Sequence, residues 1–268
     1  MRLRAPSPLA PRRLGDRHVL LALAALVSLL ALAFVIYPLA AIFRMSLLAP
    51  DGRFTLVNYA RFFSESRLVG IVHNSLLMAA LTTMLTIALA YAFAYAMTRS
   101  AIPAKRLWHL IAMAPLFAPS LIHAMGFQFL LGRSGVLNMA FGLGIEIYGL
   151  PGLVLSNTLY AFPHAVLILQ SALSYGDQRM YESAIMLGAS RWRIFRTVTL
   201  PGVRYGLMSA VFVVFTATIT DFGNAIIIGG SFKVLATEIY TQVIGQANFN
   251  LGAVVSVVLL LPAAVAVG

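Results

Sequence analysis

Long uncharged apolar runs alternate along this chain with short charged segments. Val19 to Phe43 carries no charged side chain over 25 residues. Further runs are Leu68 to Thr98, Leu107 to Gly132 and Ile147 to Gly176. Tyr205 to Phe232 is interrupted only by Asp221, and Ile239 to Gly268 opens with a polar approach before turning fully apolar near Leu251. A bilayer crossing needs about 20 consecutive apolar residues. The pattern therefore predicts an all-α integral membrane protein with six transmembrane helices. Residues 1–18 form a basic N-terminal segment, and 19–268 form one six-span transmembrane domain.

Composition supports that reading. The chain has 268 residues, 60% of them hydrophobic, a mean hydropathy of +0.90 and 10% charged residues, where a soluble domain carries about 25% charged residues. A chain this apolar cannot hide its side chains in one core, so lipid is its solvent. The absence of cysteine excludes disulfides and thiolate metal sites. The net charge of +11 would suggest a nucleic-acid partner in a soluble protein. In a membrane protein it is the position of the charges that informs, because Lys and Arg concentrate in cytoplasmic loops. With the N-terminus inside, the inner segments 1–18, 99–106 and 174–204 hold thirteen of the nineteen Lys and Arg residues. Both termini are thus expected in the cytoplasm. The first apolar run exceeds a signal-peptide core of about 7–15 residues and reads as a membrane helix.

Several features within the runs read as packing. Pro115, Pro119, Pro151 and Pro163 read as kinks in packing helices, tolerated in a membrane where neighbours re-satisfy freed carbonyls. Ala88, Ala92 and Ala96 form a small-residue stripe on the second span, which favours close helix approach. His123 and His164 lie within spans and read as bonded to neighbouring helices. No phosphate-binding glycine loop, catalytic triad or metal-ligand cluster is present in the sequence, so no catalytic or metal site is expected.

The inner segment Tyr181 to Gly202, "YESAIMLGASRWRIFRTVTLPG", differs from everything around it. Residues 178–188 read as a helix capped by Asp177, with Tyr181, Ala184, Ile185 and Gly188 on one face. Gly188 can end it in a left-handed conformation. Ser190 can cap a second short helix. Trp192, Ile194, Phe195 and Val198 lie on one of its sides, and Arg193, Arg196 and Thr197 on the other. Leu200-Pro201 is expected to stop that helix. An interfacial helix with arginines on lipid headgroups would account for the arginines and aromatics. It would not account for Glu182, the glycine turn and the Leu-Pro in fixed order. A docking element for a cytoplasmic partner would.

The order and spacing resemble the EAA loop of binding-protein-dependent ABC transporter permeases: Glu-Ala-Ala, three residues, Gly, nine residues, Ile, one residue, Leu-Pro. Here they read Glu182-Ser183-Ala184, Gly188, Val198 and Leu200-Pro201, with Ser183 and Val198 as the two departures. The resemblance implies that residues 177–202 form a coupling loop seated in a cleft of a cytoplasmic ABC ATPase dimer. Glu182 and Gly188 would set its geometry, and Arg191, Trp192 and Arg193 would carry contact surface. It also implies a periplasmic substrate-binding protein, a second permease half and a place in the bacterial inner membrane. ATP and Mg would be bound by the ATPase, with no cofactor on this chain.

Asp221 in "TITDFGNAIIIGG" is the sharpest charge inside a run. An aspartate at a helix centre costs about 2.5–3.5 kcal/mol on insertion scales. With Asn224 it either lines a translocation path or pairs with a polar residue on another span. The stretch from Asp221 to Gly245 resembles the phosphonate, iron(III) and polyamine branch of these permeases, 2-aminoethylphosphonate permeases first and ferric permeases next. Such permeases are often two fused six-span halves, so this chain is expected to be the N-terminal half of a longer one. The alternative function is an ion- or proton-coupled secondary transporter, which would need no docking loop.

Overall fold

The computed structural model describes residues 14–49, 51–176 and 178–267. The expected cap Asp177 lies outside the described residues. Helices dominate, with one isolated antiparallel bridge between Leu48 and Phe54. The elements are α1 (Leu14–Ser46), α2 (Val57–Ser64), α3 (Ser66–Arg99), α4 (Lys105–Met113), α5 (Ser120–Leu131), α6 (Val136–Phe141) and α7 (Leu150–Ser174). After these come α8 (Gln178–Met186), α9 (Arg191–Ile194), α10 (Leu200–Ile219), α11 (Gly223–Ile228), α12 (Leu235–Tyr240) and α13 (Phe249–Val267).

Four helices among the described residues are long and apolar enough to cross a bilayer: Arg17–Ser46, Ser66–Arg99, Leu150–Ser174 and Arg191–Ile219. The third run, where the prolines were expected to kink a packing helix, is bent by 104° between Lys105–Phe117 and Ser120–Phe141. Pro119 explains the break. A proline pushes the preceding residue out of the helical region, and Ala118 is extended, with φ −112° and ψ 135°. The run expected as the fifth span also divides. Helix α10 ends at Ile219, and α11 begins only at Gly223. The sixth run contributes a shorter apolar helix, Phe249–Val265.

Helices α3, α7 and α10 pack most extensively on one another. Their seam joins Ala90 and Ala94 of α3 to Ala161, Ala165 and Leu169 of α7 and to Ala210 and Val214 of α10, all fully buried. The alanine stripe of α3 is therefore Ala90 and Ala94. Ala88 and Ala92 face outward, which corrects the expected register. Alanine at four-residue spacing occurs on two faces here, and helix neighbours decide which one packs. A second core, including Phe62, Leu68, Ile219, Leu235 and Val254, gathers α2, α3, α10, α12 and α13 at the opposite end. Helix α1 differs from the rest: none of its apolar window is buried. A helix that is apolar all round and uncovered by protein belongs in lipid.

Candidate functional site

The segment from Gln178 to Thr199 folds as two short helices at the end of the bundle that carries Arg99 and Ser174. Helix α8 ends in a Schellman motif. The Ala189 N–H donates to the Ala184 carbonyl (3.0 Å) and the Gly188 N–H to the Ile185 carbonyl (2.9 Å), closing the helix through Gly188 at φ +71°. No atom lies within 4 Å of where a Cβ on Gly188 would sit. Glycine is needed there for its backbone angle, not for space. The Ser190 hydroxyl then caps α9 by accepting from the Arg193 N–H at 3.3 Å. The two-helix reading and both of its caps on described residues match the sequence expectation.

The expected stop at Leu200-Pro201 is corrected. Helix α9 continues through a π-helical turn, Phe195–Thr199, into α10. The Leu200 N–H reaches back five residues to the Phe195 carbonyl. Widening the turn just ahead of Pro201 relieves the clash of the proline ring with the preceding turn, where the missing N–H would otherwise break an α-helix. One continuous helix therefore joins the loop to the bundle.

Charge and apolar surface lie open on this loop. Glu182, Ser183, Arg191 and Arg193 are exposed. Their side chains form no ion pair among the described residues. Met186 and Leu187 are 87% and 86% exposed, and Ile185 and Trp192 are exposed with them. Trp192 stacks on Phe195, and Arg196 lies 5.9 Å from the Trp192 ring. Ala184 and Val198 are half-buried, while Leu200 and Pro201 are exposed at the start of α10. The inner side of the loop is anchored. Tyr181 donates its hydroxyl to Thr199 Oγ1 at 3.1 Å, and the Arg99 guanidinium lies 4.1 Å from the centre of the Tyr181 ring.

Asp221 sits in the break between α10 and α11, and Asn224 in the first turn of α11, so the two do not share a continuous helix. The Asn224 N–H donates to Asp221 Oδ2 at 2.9 Å, so the carboxylate caps α11, and the Ser120 hydroxyl lies beside it. Asn224 is fully buried. Its Oδ1 accepts from Ser156 Oγ, and its Nδ2 donates to Asn157 Oδ1 at 3.0 Å. Gly223 permits this arrangement, because a Cβ there would meet Ser120 Oγ at 2.3 Å. Every polar atom of the Asn224 side chain is thus used inside the bundle. His123 is bonded within its own turn, Nδ1 to the Pro119 carbonyl at 3.2 Å, not to a neighbouring helix as expected. His164 Nδ1 is buried without a partner.

Sequence reasoning missed a third polar group. At the far end of α3, Arg67 donates in bidentate fashion to Glu238, at 3.0 and 3.1 Å. Glu238 is 2% exposed and also accepts from Gln242 at 2.6 Å. The signal was present as an acidic residue four positions ahead of a glutamine in an apolar stretch. Nearby, Arg133, Glu146, Tyr148 and the Gly230-Ser231 turn line a cleft of about 620 Å³.

Residues 92–268 match the family described as "Binding-protein-dependent transport system inner membrane component". The chain is 29% identical over 238 residues to a ferric transport system permease protein of Actinobacillus pleuropneumoniae, covering 87% of this chain and 34% of that one. It thus spans about a third of that relative's length. It is 24% identical over 260 residues to a protein of Salmonella typhi named for 2-aminoethylphosphonate transport, covering 94% and 89%. The phosphonate relative thus stands behind the ferric one in identity. A bacterial alginate ABC transporter, solved in complex with an alginate pentasaccharide-bound periplasmic protein, superposes with a TM-score of 0.76 over 96% of this chain and 95% of that one. At 18% identity this likeness shows the fold.

Proposed function

This chain belongs to the family of binding-protein-dependent transport system inner membrane components, and from that premise we propose that it is a permease subunit of an ATP-driven importer. The loop Gln178–Thr199 is its ATPase-docking element. The observation that carries this reading is the loop's surface: exposed Ile185, Met186, Leu187 and Trp192 beside exposed Glu182, Arg191 and Arg193. Apolar side chains of that size, rimmed by charge, mark an interaction surface. The caps at Gly188 and Ser190 fix its shape before any partner arrives.

The partners in this reading are a cytoplasmic ABC ATPase dimer that binds ATP and Mg, a periplasmic binding protein that delivers cargo, and a second permease half. This chain contributes no catalytic group. The loop follows the ATPases as they close on ATP, and the continuous helix from α9 into α10 carries that motion into the bundle. ATP shifts the inward–outward equilibrium only as far as it binds one state better than the other. The cargo is a small solute: 2-aminoethylphosphonate and ferric iron are the leading candidates, with a polyamine third.

The test is a detergent pull-down of the ATPase encoded nearest this gene, comparing wild type with Gly188→Arg. Wild type retains the ATPase, and the variant reaches the membrane but loses it. If wild type in its full transporter retains no ATPase, the reading fails and a secondary transporter replaces it. Uptake of radiolabelled 2-aminoethylphosphonate against radioactive ferric iron in cells carrying the whole system then assigns the cargo.

A further inference from the structure

Helix α3 touches the loop at one end and the far-end segment 233–242 at the other. Tyr91, Tyr95 and Arg99 are spaced four apart and so share one helix face. The rings of Tyr91 and Tyr95 meet Phe195 edge-on, at 6.1 and 6.4 Å. Arg99 covers the Tyr181 ring and donates to the Leu173 carbonyl at 3.1 Å. One stripe of α3 therefore contacts α8, the turn after α9 and the end of α7.

The far end of the same helix is equally engaged. Arg67 holds Glu238 through two hydrogen bonds. Asn74 donates to the Lys233 carbonyl at 3.2 Å, and Ser75 Oγ accepts from the Leu235 N–H at 2.8 Å. Between these ends lie 34 residues, about 50 Å of helix at 1.5 Å per residue. Of the four long helices among the described residues, α3 alone contains no proline. Helix α7 carries Pro163 in its interior, and α10 starts behind a π-helical turn. Kinks and π turns are where helices yield, so α3 is the stiffest path between the two ends.

We propose that α3 is a rigid rod that transmits displacement of the loop to segment 233–242 at the opposite membrane face, with Arg99 as the positioning residue at its input and Arg67 at its output. This rests on the reading of the loop as the ATPase-docking element. Arg99 suits the input because its planar guanidinium stacks on an aromatic face while keeping a hydrogen bond to α7. A sideways movement of α8 then moves α3 and α7 together.

These 268 residues hold no cysteine, so Tyr240→Cys with Phe222→Cys, whose rings lie 5.4 Å apart, places a cross-linking pair between segment 233–242 and the residue before α11 while leaving the contacts of α3 intact. The full transporter, assembled with its ATPase, is cross-linked with and without Mg-ATP. Mg-ATP is expected to change the cross-linking rate about fivefold or more, the lower range of allosteric coupling. Arg99→Ala is expected to erase that response while retaining as much ATPase in the pull-down as the parent. Tyr181→Leu removes the same stacking contact from the loop side. It is expected to do the same, and it serves if Arg99→Ala does not reach the membrane. An unchanged Mg-ATP response with the ATPase retained overturns the rod. Loss of the ATPase from both variants also overturns it, since these residues would then only shape the docking surface. Failure of the parent itself to retain any ATPase removes the functional reading, and this proposal with it.

Discussion

The loop Gln178–Thr199 and the buried clusters around Asn224 and Glu238 are all islands of polarity in an apolar chain, but they end differently. In the buried clusters, polar side chains find each other: Asn224 with Ser156 and Asn157, and Glu238 with Arg67 and Gln242. On the loop, Glu182, Arg191 and Arg193 find no ion-pair partner among the described residues, and large apolar side chains stand open beside them. Polar groups buried in a membrane protein must be satisfied from within, because lipid offers no hydrogen bonds. Groups at a surface can wait for water or for another protein. Polar side chains that bond one another inside the bundle therefore point to architecture, and charged ones left facing outward to recognition. The bonds of Asp221 and Asn224, a pair that the sequence left between path and packing, start α11 and tie it to α7.

That contrast can be broken by substitutions whose effects on stability and on partner capture should run in opposite order. Arg67→Ala leaves the Glu238 carboxylate buried and unpaired. Removing one member of a buried pair costs about 3–5 kcal/mol, and the half-exposed arginine reduces this to about 2–3 kcal/mol. Thermal unfolding in detergent should show the largest drop here, with ATPase capture unchanged; an unaltered melting temperature would mean that Glu238 protonates or finds water instead. Asn224→Ala removes the bonds to Ser156 and Asn157 and the side-chain packing around them. At about 0.6 kcal/mol per interhelical bond, rising to about 1.7 at most, the expected loss is about 2 kcal/mol. Denaturant unfolding of the purified protein measures it, and a value near zero would reopen a path role for the pair.

The remaining two substitutions test the open region. Gly188→Ala forces a Cβ into a left-handed conformation at a cost of about 1–2 kcal/mol, confined to the end of α8. Global melting should move little, while the fraction of ATPase retained in a pull-down falls. Equal retention would show that the Schellman turn is not needed for docking. Trp192→Ala should change stability least, within about 0.5 kcal/mol, as expected for an exposed side chain. It should still weaken ATPase capture measurably, because a large exposed aromatic is the kind of residue on which interfaces concentrate their energy. If capture is unaffected while melting drops, Trp192 serves its stack on Phe195 and the loop, and the distinction between the two regions fails at that residue.

Local signals were legible where local physics decides the outcome. Gly188, Ser190 and the two short helices followed from cap chemistry that acts within four or five residues. The Leu200-Pro201 stop failed because a widened turn immediately upstream absorbed the proline. A kink in the third run was legible from its prolines, but its size was not: Pro119 pushed Ala118 out of the helical region, and the run broke by 104°. The pairing of Arg67 with Glu238 was not legible for a different reason, although Glu238 ahead of Gln242 in an apolar stretch was itself a signal. The pair's members lie 171 positions apart, and nothing local says which arginine meets that glutamate.

The sequence by itself determined that this chain lives in lipid, where its charged segments fall, and that one of them is a capped two-helix loop with an ordered motif. These are consequences of composition and of short-range backbone chemistry, and they need no knowledge of neighbours. Only the tertiary structure decided which alanines of α3 pack, where α10 ends, and which polar residues are spent holding helices together rather than left facing outward. Those outcomes depend on which helices come to lie side by side. In a bilayer that choice rests on packing and internal hydrogen bonds, since burial from water gives little preference for one apolar face over another.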